Sequence, residues 1–371
     1  MKTKIVFLLN KMIVGGIETV FITLIDDLLK TSRYDISVIV KLPVTEPFYL
    51  DFFKTRGLPV FFLREKKPSS FCAKLRWKFE MAKRKRLLIK ELSSADVVVD
   101  YTNCSFANSL MNIKTPKIGW YHGASSVYRQ MVKHKDVFNV YDKFVCLTHS
   151  ACDDFIAQYP SHKQKIVQIY NPFNYQRIQQ RAENASSIPL EKFFCFVARM
   201  DANDKDHETV IKAFTRFLQN NPEAKLYLIG DGPNRSNLEK MVEDFHVEKN
   251  IVFTGTLTNP YGYMKGAIAN ILSSYNEGFG VVLVEAQALK TLNIATDCPN
   301  GPAEILLHGK GGILFPVGDV NCLEKALADV WNNKIDREEM VENAYISLDR
   351  FSLEKITPQI EDLIRSVIKK V

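Results

Sequence analysis

Short, uninterrupted apolar runs alternate with amphipathic stretches of helical periodicity along this chain, and the alternation runs through two successive series. The runs Ile5–Leu9 and Val97–Val99 in the first series, and Phe193–Val197 in the second, contain no polar residue. Strands buried on both faces of a parallel sheet have this composition, because helices cover both faces. The pattern therefore predicts an α/β fold with doubly wound parallel sheets.

The chain length, 371 residues, exceeds one ordinary domain and suits two domains of about 150–200 residues. The largely polar stretch Gln176–Ser187 separates the two series. We therefore predict a Rossmann-like N-terminal domain over residues 1–172, a second Rossmann-like domain over 173–350, and a C-terminal helix over 351–371 that packs back on the first domain. Two such domains facing each other across a cleft place a ligand at the carboxyl ends of both sheets.

The composition excludes several classes of protein. Hydrophobic residues make up 46% and charged residues 25% of the chain, so a folded core is expected and disorder is not. The seven cysteines are scattered and form no C-x-x-C pair, which indicates reduced thiols rather than a disulfide framework or a zinc site. The first apolar run ends at Asn10, too early for a signal peptide, and no apolar run reaches the roughly 20 residues of a spanning helix. We expect a cytoplasmic protein that can meet a membrane only at its surface.

The positive charge is concentrated in one segment. The chain carries a net charge of +7, whereas Arg64–Lys90 alone holds eleven basic and two acidic residues. Trp77 and Phe79 lie among these cations, a combination that fits a surface facing anionic lipid, a nucleic-acid surface, or a solvated helix with snorkelling lysines. No nucleic-acid motif accompanies the segment, and charge alone gives only salt-sensitive, nonspecific binding. We predict a peripheral contact with an anionic membrane and no nucleic-acid partner.

The segment around residues 276–286 has the composition of a phosphate site. Gly278, Phe279 and Gly280 form a turn that opens a helix, where backbone N–H groups and the helix dipole favour an anion such as a pyrophosphate. Glu277 precedes this helix and would lie near a transferred sugar. Glu285 lies about one turn into it and would accept hydrogen bonds from ribose hydroxyls. The alternative is that Glu277 caps the helix and Glu285 is a solvated helix residue.

Two cations follow the first strand of the second series. The guanidinium of Arg199 and the ammonium of Lys205 would together neutralise an anion such as a diphosphate. The alternative is a surface ion pair with Asp201 or Asp204.

Two features of the N-terminal half are further candidates. Gly15 and Gly16 open the first helix without the third glycine of a dinucleotide fingerprint, so we expect backbone close to a phosphate or an acceptor, or else a plain turn. His122 follows Trp120 and Tyr121 at a strand end, where it is either a ligand contact or a structural loop histidine.

The Glu-x7-Glu pattern around Gly-Phe-Gly resembles the signature of the retaining family-4 glycosyltransferases (glycosyl transferases group 1), which have the GT-B fold. Ala198 departs from the glycine frequent in this family before the arginine, and Leu42–Leu63, in the acceptor half, matches no family motif. The resemblance covers nearly the whole chain. Other segments resemble the family in the same order, namely Gly15–Glu18, Trp120–Gly123, Ile169–Pro172, Val197–Met200, Lys205–His207, Ile229–Pro233 and Thr296–Ile305.

The resemblance implies a retaining hexosyltransferase-type enzyme of class EC 2.4. Its donor would be a nucleotide-diphosphate sugar, and the family's common use of UDP-sugars implies a UDP-hexose or a UDP-N-acetylhexosamine. Its acceptor would be a glycan or lipid-linked glycan of bacterial surface polysaccharide or lipopolysaccharide synthesis. The family implies that His122 contacts the donor sugar, that Arg199 and Lys205 neutralise the leaving diphosphate, and that Glu277 acts at the reacting sugar. No metal or other cofactor is expected.

Other functions compete with this interpretation. One is an α-glucan-type phosphorylase or synthase of the same fold, of which the phosphorylase needs a pyridoxal-bearing lysine and a much longer chain. A protein that binds nucleic acid through its basic segment and a catalytically inactive sugar-nucleotide binder are the remaining alternatives. The presence of Glu277, Arg199, Lys205 and Glu285 argues against an inactive binder.

Overall fold

The chain folds into two compact units, seen in a computed structural model. One unit comprises residues 1–172 together with 353–371, and the other comprises residues 173–352. The final helix therefore belongs to the first unit. None of the described helices is both long and apolar enough to cross a membrane. The structure describes residues 2–63, 71–123, 137–185, 188–201 and 204–368, with backbone alone for 71–76, 78 and 137.

The first unit is built on a parallel sheet whose seven described strands follow the order β3-β2-β1-β4-β5-β6-β7. Strand order reverses between β1 and β4, and the loops after these two strands therefore meet at a topological switch point. The strands are β1 Thr3–Leu9, β2 Tyr34–Val40, β3 Val60–Phe62, β4 Val97–Asp100, β5 Lys117–Tyr121, β6 Lys143–Cys146 and β7 Ile166–Gln168.

Helices connect most of these strands, since parallel neighbours need a crossover connection. The buried residues of α1, among them Val20, Leu24 and Leu28, recur at the spacing of one helical face. The helices of the first unit are α1 Gly16–Lys30, α2 Pro47–Thr55, α3 Phe71–Ser94, α4 Ala107–Leu110, α5 Val137–Val140 and α6 His149–Gln158, with a 3-10 turn at Pro160–Lys165.

Helix α3 runs antiparallel to the strands. Arg84 Nη1 donates a hydrogen bond of 3.0 Å to the carbonyl of Phe62, at the carboxyl end of β3. One and two turns later, Leu88 and Leu92 are buried in the core, and Glu91 pairs with Lys4 at the amino end of β1 at 3.0 Å. Because a helix rises about 1.5 Å per residue, the part of α3 before Arg84 extends roughly 20 Å away from this anchored half.

The second unit is built on a parallel sheet whose six described strands follow the order β10-β9-β8-β11-β12-β13. The strands are β8 Phe193–Val197, β9 Lys225–Ile229, β10 Ile251–Gly255, β11 Ala269–Leu272, β12 Leu292–Thr296 and β13 Ile313–Phe315. Its helices are α7 Tyr175–Glu183, α8 His207–Phe217, α9 Arg235–Asp244, α10 Tyr261–Gly266, α11 Val281–Ala288, α12 Pro302–Ile305, α13 Val320–Trp331 and α14 Arg337–Ile346, with 3-10 turns at Leu307–Gly309 and Ser347–Phe351. The final helix of the chain, α15 Leu353–Ile368, lies in the first unit.

Two buried amides pin helix α11 to the second sheet. Asn270 Nδ2 donates to Asn293 Oδ1 at 2.9 Å, and Asn293 Nδ2 donates to the carbonyl of Leu283 at 3.0 Å. Both asparagines are fully buried, so breaking either contact would leave unpaired polar groups in the core. The position of α11 over the strand ends is therefore fixed by hydrogen bonds as well as by packing.

Candidate active site

In the second unit, the loop after β8 is held against the loop after β9 by backbone contacts. The N–H of Met200 donates to the carbonyl of Asp231 at 2.9 Å, and the carbonyl of Met200 accepts from the N–H of Asn234 at 3.0 Å. A Cβ on Gly232 would lie 2.2 Å from the carbonyl oxygen of Met200, so only glycine fits there. This contact fixes the backbone from which Arg199 projects.

Arg199 forms an ion pair with Asp201. Its Nε and Nη2 atoms lie 2.8 Å and 2.6 Å from Asp201 Oδ2. Asp201 Oδ1 accepts a further hydrogen bond of 3.1 Å from the N–H of Asp204. The arginine side chain remains 53% exposed, so its outer face is accessible to an anion even while paired. The ion-pair alternative considered for Arg199 is thus present in the structure.

Lys205 and Glu277 are brought together by adjacent strands. The Lys205 ammonium forms an ion pair with Glu277 Oε1. Ser274 Oγ lies 3.1 Å from Lys205 Nζ and donates to Glu277 Oε1 at 2.5 Å. Lys205 also forms a backbone bridge with Ser274, two residues beyond β11. Two residues that the sequence assigned separately to the diphosphate and to the sugar are therefore in direct contact.

Asp204 adds a carboxyl group beside these charges. Burial raises its pKa, and the neighbouring carboxylate of Asp201 raises it further, whereas Lys205 and Arg199 lower it. The carbonyl of Asp204 also accepts a hydrogen bond of 3.0 Å from the N–H of Tyr275. The loop after β8 thus carries two carboxyl groups that partly offset the two cations.

The glycine turn of the predicted phosphate site precedes α11. Gly280 is the N-cap residue and has a φ of 97°, a left-handed conformation that favours glycine. Phe279 is buried, and its ring lies 6.1 Å from that of Phe173 and 5.4 Å from that of Phe351. The phenylalanine therefore anchors the turn in the core, and the backbone around Gly278 is the part that remains for an anion at the start of α11.

Glu285 lies on the buried side of α11. Its Oε1 accepts a hydrogen bond of 2.7 Å from the hydroxyl of Tyr261. Burial raises the pKa of Glu285 to about 7, and this shift is opposed by the Tyr261 hydrogen bond and by the charge of Arg181. Glu285 is therefore held in a defined orientation and is not the solvated helix residue of the alternative interpretation.

In the first unit, Gly15 is the N-cap residue of α1. A Cβ at Gly15 would lie 2.9 Å from Glu18 Oε2, because the Glu18 side chain folds back toward the N–H of Ile13, at 3.5 Å. The Tyr49 hydroxyl donates to the carbonyl of Ile13 at 3.1 Å and ties the same loop to α2. The loop around Gly15 and Gly16 is thus shaped by Glu18, a role that the sequence did not predict.

His122 lies just beyond β5. Its N–H donates to Asn103 Oδ1 at 2.7 Å, and its ring centroid lies 4.6 Å from that of Tyr101. Burial lowers the pKa of His122 to about 3, a shift opposed by the backbone of Tyr101. Among the residues that the structure describes, neither ring nitrogen has a partner with hydrogen-bonding geometry. His122 is consequently a neutral histidine that can still donate and accept.

The described part of the chain contains no candidate metal site. No group of three or more His, Cys, Asp or Glu residues there has the geometry to hold a metal ion. Cysteines 104, 146, 152, 195, 298 and 322 are free thiols. The expectation that the reaction needs no metal stays a prediction.

The second unit matches a known family. Residues 179–347 match the family described as Glycosyl transferases group 1. An uncharacterized glycosyltransferase of Methanocaldococcus jannaschii is 28% identical over 250 residues, which cover 57% of this chain and 60% of that relative. In three curated relatives, this one included, the matched region spans 60%, 18% and 47% of the relative's own length. Residues 179–347 are therefore similar to the group 1 glycosyltransferases.

Two further comparisons extend over almost the whole chain. A Campylobacter jejuni protein named GalNAc-alpha-(1->4)-GalNAc-alpha-(1->3)-diNAcBac-PP-undecaprenol alpha-1,4-N-acetyl-D-galactosaminyltransferase is 25% identical over 368 residues, 98% of this chain and 99% of that protein. The structure of Anabaena Alr3699/HepE in complex with UDP-glucose aligns with a TM-score of 0.78 at 18% identity, covering 98% of this chain and 99% of that one. This structural likeness and the two parallel sheets confirm the predicted α/β, GT-B fold class with two Rossmann-like domains. Family 4, retention and a cleft between the domains stay predictions.

Proposed function

We propose that this chain, whose residues 179–347 match the family described as Glycosyl transferases group 1, transfers a sugar from a nucleotide-diphosphate sugar to a glycan or lipid-linked acceptor with retention of configuration. The donor in this proposal is a UDP-hexose or a UDP-N-acetylhexosamine. Relatives and structural neighbours whose names contain UDP, UDP-glucose and undecaprenol-linked glycans support this choice of substrates. The product belongs to bacterial surface polysaccharide or lipopolysaccharide synthesis.

The contact between Lys205 and Glu277 is the observation that carries the proposal. Both residues follow parallel strands of the second sheet and therefore lie at its carboxyl edge, where α/β folds bind ligands. Arg199, on the loop after β8, and the glycine turn before α11 lie at the same edge. A diphosphate placed against this edge meets two cations and a helix N-terminus, and Glu277 lies beside the lysine to receive the sugar.

The reaction consistent with these groups is a same-face substitution. The bond between the anomeric carbon and the diphosphate oxygen breaks, and the acceptor hydroxyl oxygen forms a bond to that carbon on the same face. The acceptor proton passes to the departing diphosphate oxygen, so charges and atoms balance. Arg199 and Lys205 stabilise the negative charge that develops on the diphosphate, which is the largest electrostatic demand of the step.

A surface stripe on α3 supports a membrane contact of the first unit. Residues 79, 83, 86, 87 and 90 recur at the spacing of one helical face, and all five side chains are exposed. The stripe contains three cations, the exposed Leu87, and Phe79, which is 81% exposed. An exposed apolar and cationic stripe on the opposite side from Leu88 and Leu92 suits an anionic lipid surface. We place the enzyme in the cytoplasm, peripheral on the inner face of the plasma membrane. Residues 64–70 of the basic segment lie outside the described part of the chain.

A thermal-shift panel tests the donor. UDP-, GDP- and ADP-sugars should be compared for the rise in melting temperature that they cause, since a ligand that binds only the folded state stabilises it by mass action. We expect the UDP-sugars to raise the melting temperature of the wild type and to lose this effect in Lys205→Ala. A rise with none of the three donors would contradict the proposal.

The alternative functions are not favoured. The family match over residues 179–347 gives no support to a nucleic-acid-binding protein. A catalytically inactive sugar-nucleotide binder would have no use for Glu277, yet this residue is held in place by both Lys205 and Ser274.

A further inference from the structure

Tyr261 and Glu285 form a buried hydrogen bond between two neighbouring helices of the second unit. The Tyr261 hydroxyl lies 2.7 Å from Glu285 Oε1, and both side chains are almost completely buried. The other carboxylate oxygen, Oε2, has no hydrogen-bond partner among the residues that the structure describes. One oxygen of Glu285 is thus committed to the protein and the other is not.

Helix α7 supports this pair from a third side. The guanidinium of Arg181 lies 4.9 Å from the centroid of the Tyr261 ring. The Arg181 side chain is itself fixed by a hydrogen bond to the carbonyl of Thr258. The backbone carbonyl of Arg181 accepts a hydrogen bond of 2.8 Å from Asn259 Nδ2. The arginine therefore holds the ring from which the hydroxyl reaches Glu285.

The charged groups around Glu285 are few. From α10 the group that faces it is Tyr261, and from α7 it is Arg181, with Arg177 acting on Tyr261. The strands packed against α11, β11 and β12, carry no titratable side chain. The other elements packed against α11 also carry charged groups. These are Glu342 on α14, which pairs with Lys290 at 3.7 Å, Glu304 on α12, and Asp349 and Arg350 on the 3-10 turn Ser347–Phe351. The shift in the pKa of Glu285 comes instead from burial, Tyr261 and Arg181. Tyr261 and Arg181 thus control the electrostatics of this carboxyl group.

We propose that Tyr261 is a positioning residue for nucleotide binding: its hydroxyl fixes the Glu285 carboxylate so that Oε2 is presented to the ribose hydroxyls of the donor. This inference rests on the proposed function, because it takes the nucleotide-diphosphate sugar and the ribose role of Glu285 from it. Tyr261 acts through Glu285 and does not contact the nucleotide. A carboxylate that accepts from both a fixed donor and a ribose is more rigid than one that accepts from the ribose alone.

The hydrogen bond also controls whether Glu285 is ionised. Burial raises the pKa of Glu285 to about 7, and the donated hydrogen bond from Tyr261 is the largest opposing effect. A carboxyl group accepts two hydrogen bonds best when ionised, so binding should strengthen as pH rises through about 7. Removing the Tyr261 hydroxyl raises the pKa of Glu285 further and leaves the group protonated at neutral pH.

Calorimetric titration of UDP into wild type and Tyr261→Phe at pH 7 and pH 9 tests the proposal. Tyr263→Phe is the matched control, since Tyr263 lies on the same helix but packs against Tyr227 and Phe193 instead. We expect Tyr261→Phe to weaken UDP binding about tenfold at pH 7, because the Glu285 carboxyl group then loses its fixed orientation and also becomes protonated. At pH 9 the group is ionised and only its orientation is lost, so the loss should be less than threefold. Tyr263→Phe should match the wild type at both pH values.

UDP itself changes protonation with pH, but this affects the wild type and both variants equally. The ratio of a variant's affinity to that of the wild type at the same pH is therefore independent of it. An equal loss of affinity at pH 7 and pH 9 would show a merely structural role for Tyr261, and an unchanged affinity would show no role. Either result overturns the inference while leaving the proposed function intact. If wild type binds no UDP at either pH, the proposed UDP donor fails instead.

Discussion

Lys205 and Glu277 form an ion pair that Ser274 bridges, with Ser274 Oγ 3.1 Å from the ammonium and 2.5 Å from the carboxylate. The two residues are 72 positions apart in the sequence. A lysine held between a carboxylate and a hydroxyl has less freedom than a surface lysine, so its charge is placed before a ligand arrives. The ion pair therefore links the group assigned to the diphosphate with the group assigned to the sugar.

Removing either Arg199 or Lys205, the two cations at the carboxyl edge of the second sheet, should abolish most of the activity. We expect Arg199→Ala and Lys205→Ala each to cost roughly 2–4 kcal/mol of transition-state stabilisation, because in the proposed reaction each removes a charge that stabilises the leaving diphosphate. Steady-state kinetics and UDP titration measure the effect. Lys212→Ala is the control, since Lys212 is an exposed cation that pairs with Glu208 one helical turn away. Unchanged turnover and unchanged UDP affinity in both variants would contradict the diphosphate role.

Substitution of Glu277 and of Glu285 should change the kinetics in different ways. Glu285→Ala should mainly weaken nucleotide binding and raise KM, because a ribose contact exists in both the ground state and the transition state. Glu277→Ala should lower kcat more than it raises KM, because Glu277 lies beside Lys205, where the proposed reaction places the transferred sugar. Determination of kcat and KM for both variants separates the roles, and the reverse pattern would show that they are exchanged.

His122 should make the folded state sensitive to acid. Its pKa is lowered to about 3 by burial, whereas an unfolded histidine titrates near 6.5. The stability that neutral His122 contributes is thus complete above about pH 6.5 and is lost as pH falls towards 3. Urea unfolding should show that the free energy of unfolding of the wild type falls between pH 7 and pH 4.5. In His122→Gln this fall should be smaller by about 2 kcal/mol. The same substitution at the exposed His149 should leave that loss unchanged, and equal losses in all three proteins would contradict the burial argument.

The stripe on α3 should bind anionic vesicles in a salt-sensitive way. We expect the wild type to sediment with anionic vesicles at low salt and to be released as salt rises. The triple change Lys83→Gln, Arg86→Gln and Lys90→Gln should weaken this binding about tenfold or more, since each cation near the surface contributes about 1 kcal/mol before screening. Arg84 is left in place, because it donates to the carbonyl of Phe62 and supports the fold.

The matched control for the vesicle experiment removes the same charge from the second unit. Lys212, Lys249 and Lys310 are exposed there, and changing all three to Gln should leave vesicle binding unaltered. Donor hydrolysis should persist in both triple variants. If the wild type stays in solution with anionic vesicles at low salt, or if both triple variants lose binding equally, the stripe is only a solvated face.

Much of the fold was predictable from periodicity, and the failures have a physical cause. The uninterrupted apolar runs became central strands, such as β1 and β4, because burial on both faces removes polar residues. Helix α2 was not predicted, since the exposed Phe48 and Leu50 obscure the stripe of Tyr49, Phe52 and Phe53. Helix α14 was also missed, because Ala344 is its one buried residue and no apolar face marks it.

The site was predictable by residue but not by contact. Glycines, cations and carboxylates at strand ends identified Lys205 and Glu277 individually, whereas their ion pair depends on β8 and β11 being neighbours in the sheet. Tyr261 gave no signal, because a tyrosine at the start of a short helix is usually a packing residue. Ser274 lies two residues after the end of a buried strand, and that position alone could have suggested it.

The release of nucleoside diphosphate from sugar donors tests the central claim most directly. UDP-sugars, with GDP- and ADP-sugars in parallel, should be incubated with the wild type, Lys205→Ala and Glu277→Ala, and the free diphosphate measured over time. The proposal predicts release from a UDP-sugar by the wild type and a loss of roughly 30-fold or more in each variant, the effect of removing one charge that acts in the transition state. No release from any donor by the wild type, or equal release by all three proteins, would contradict it.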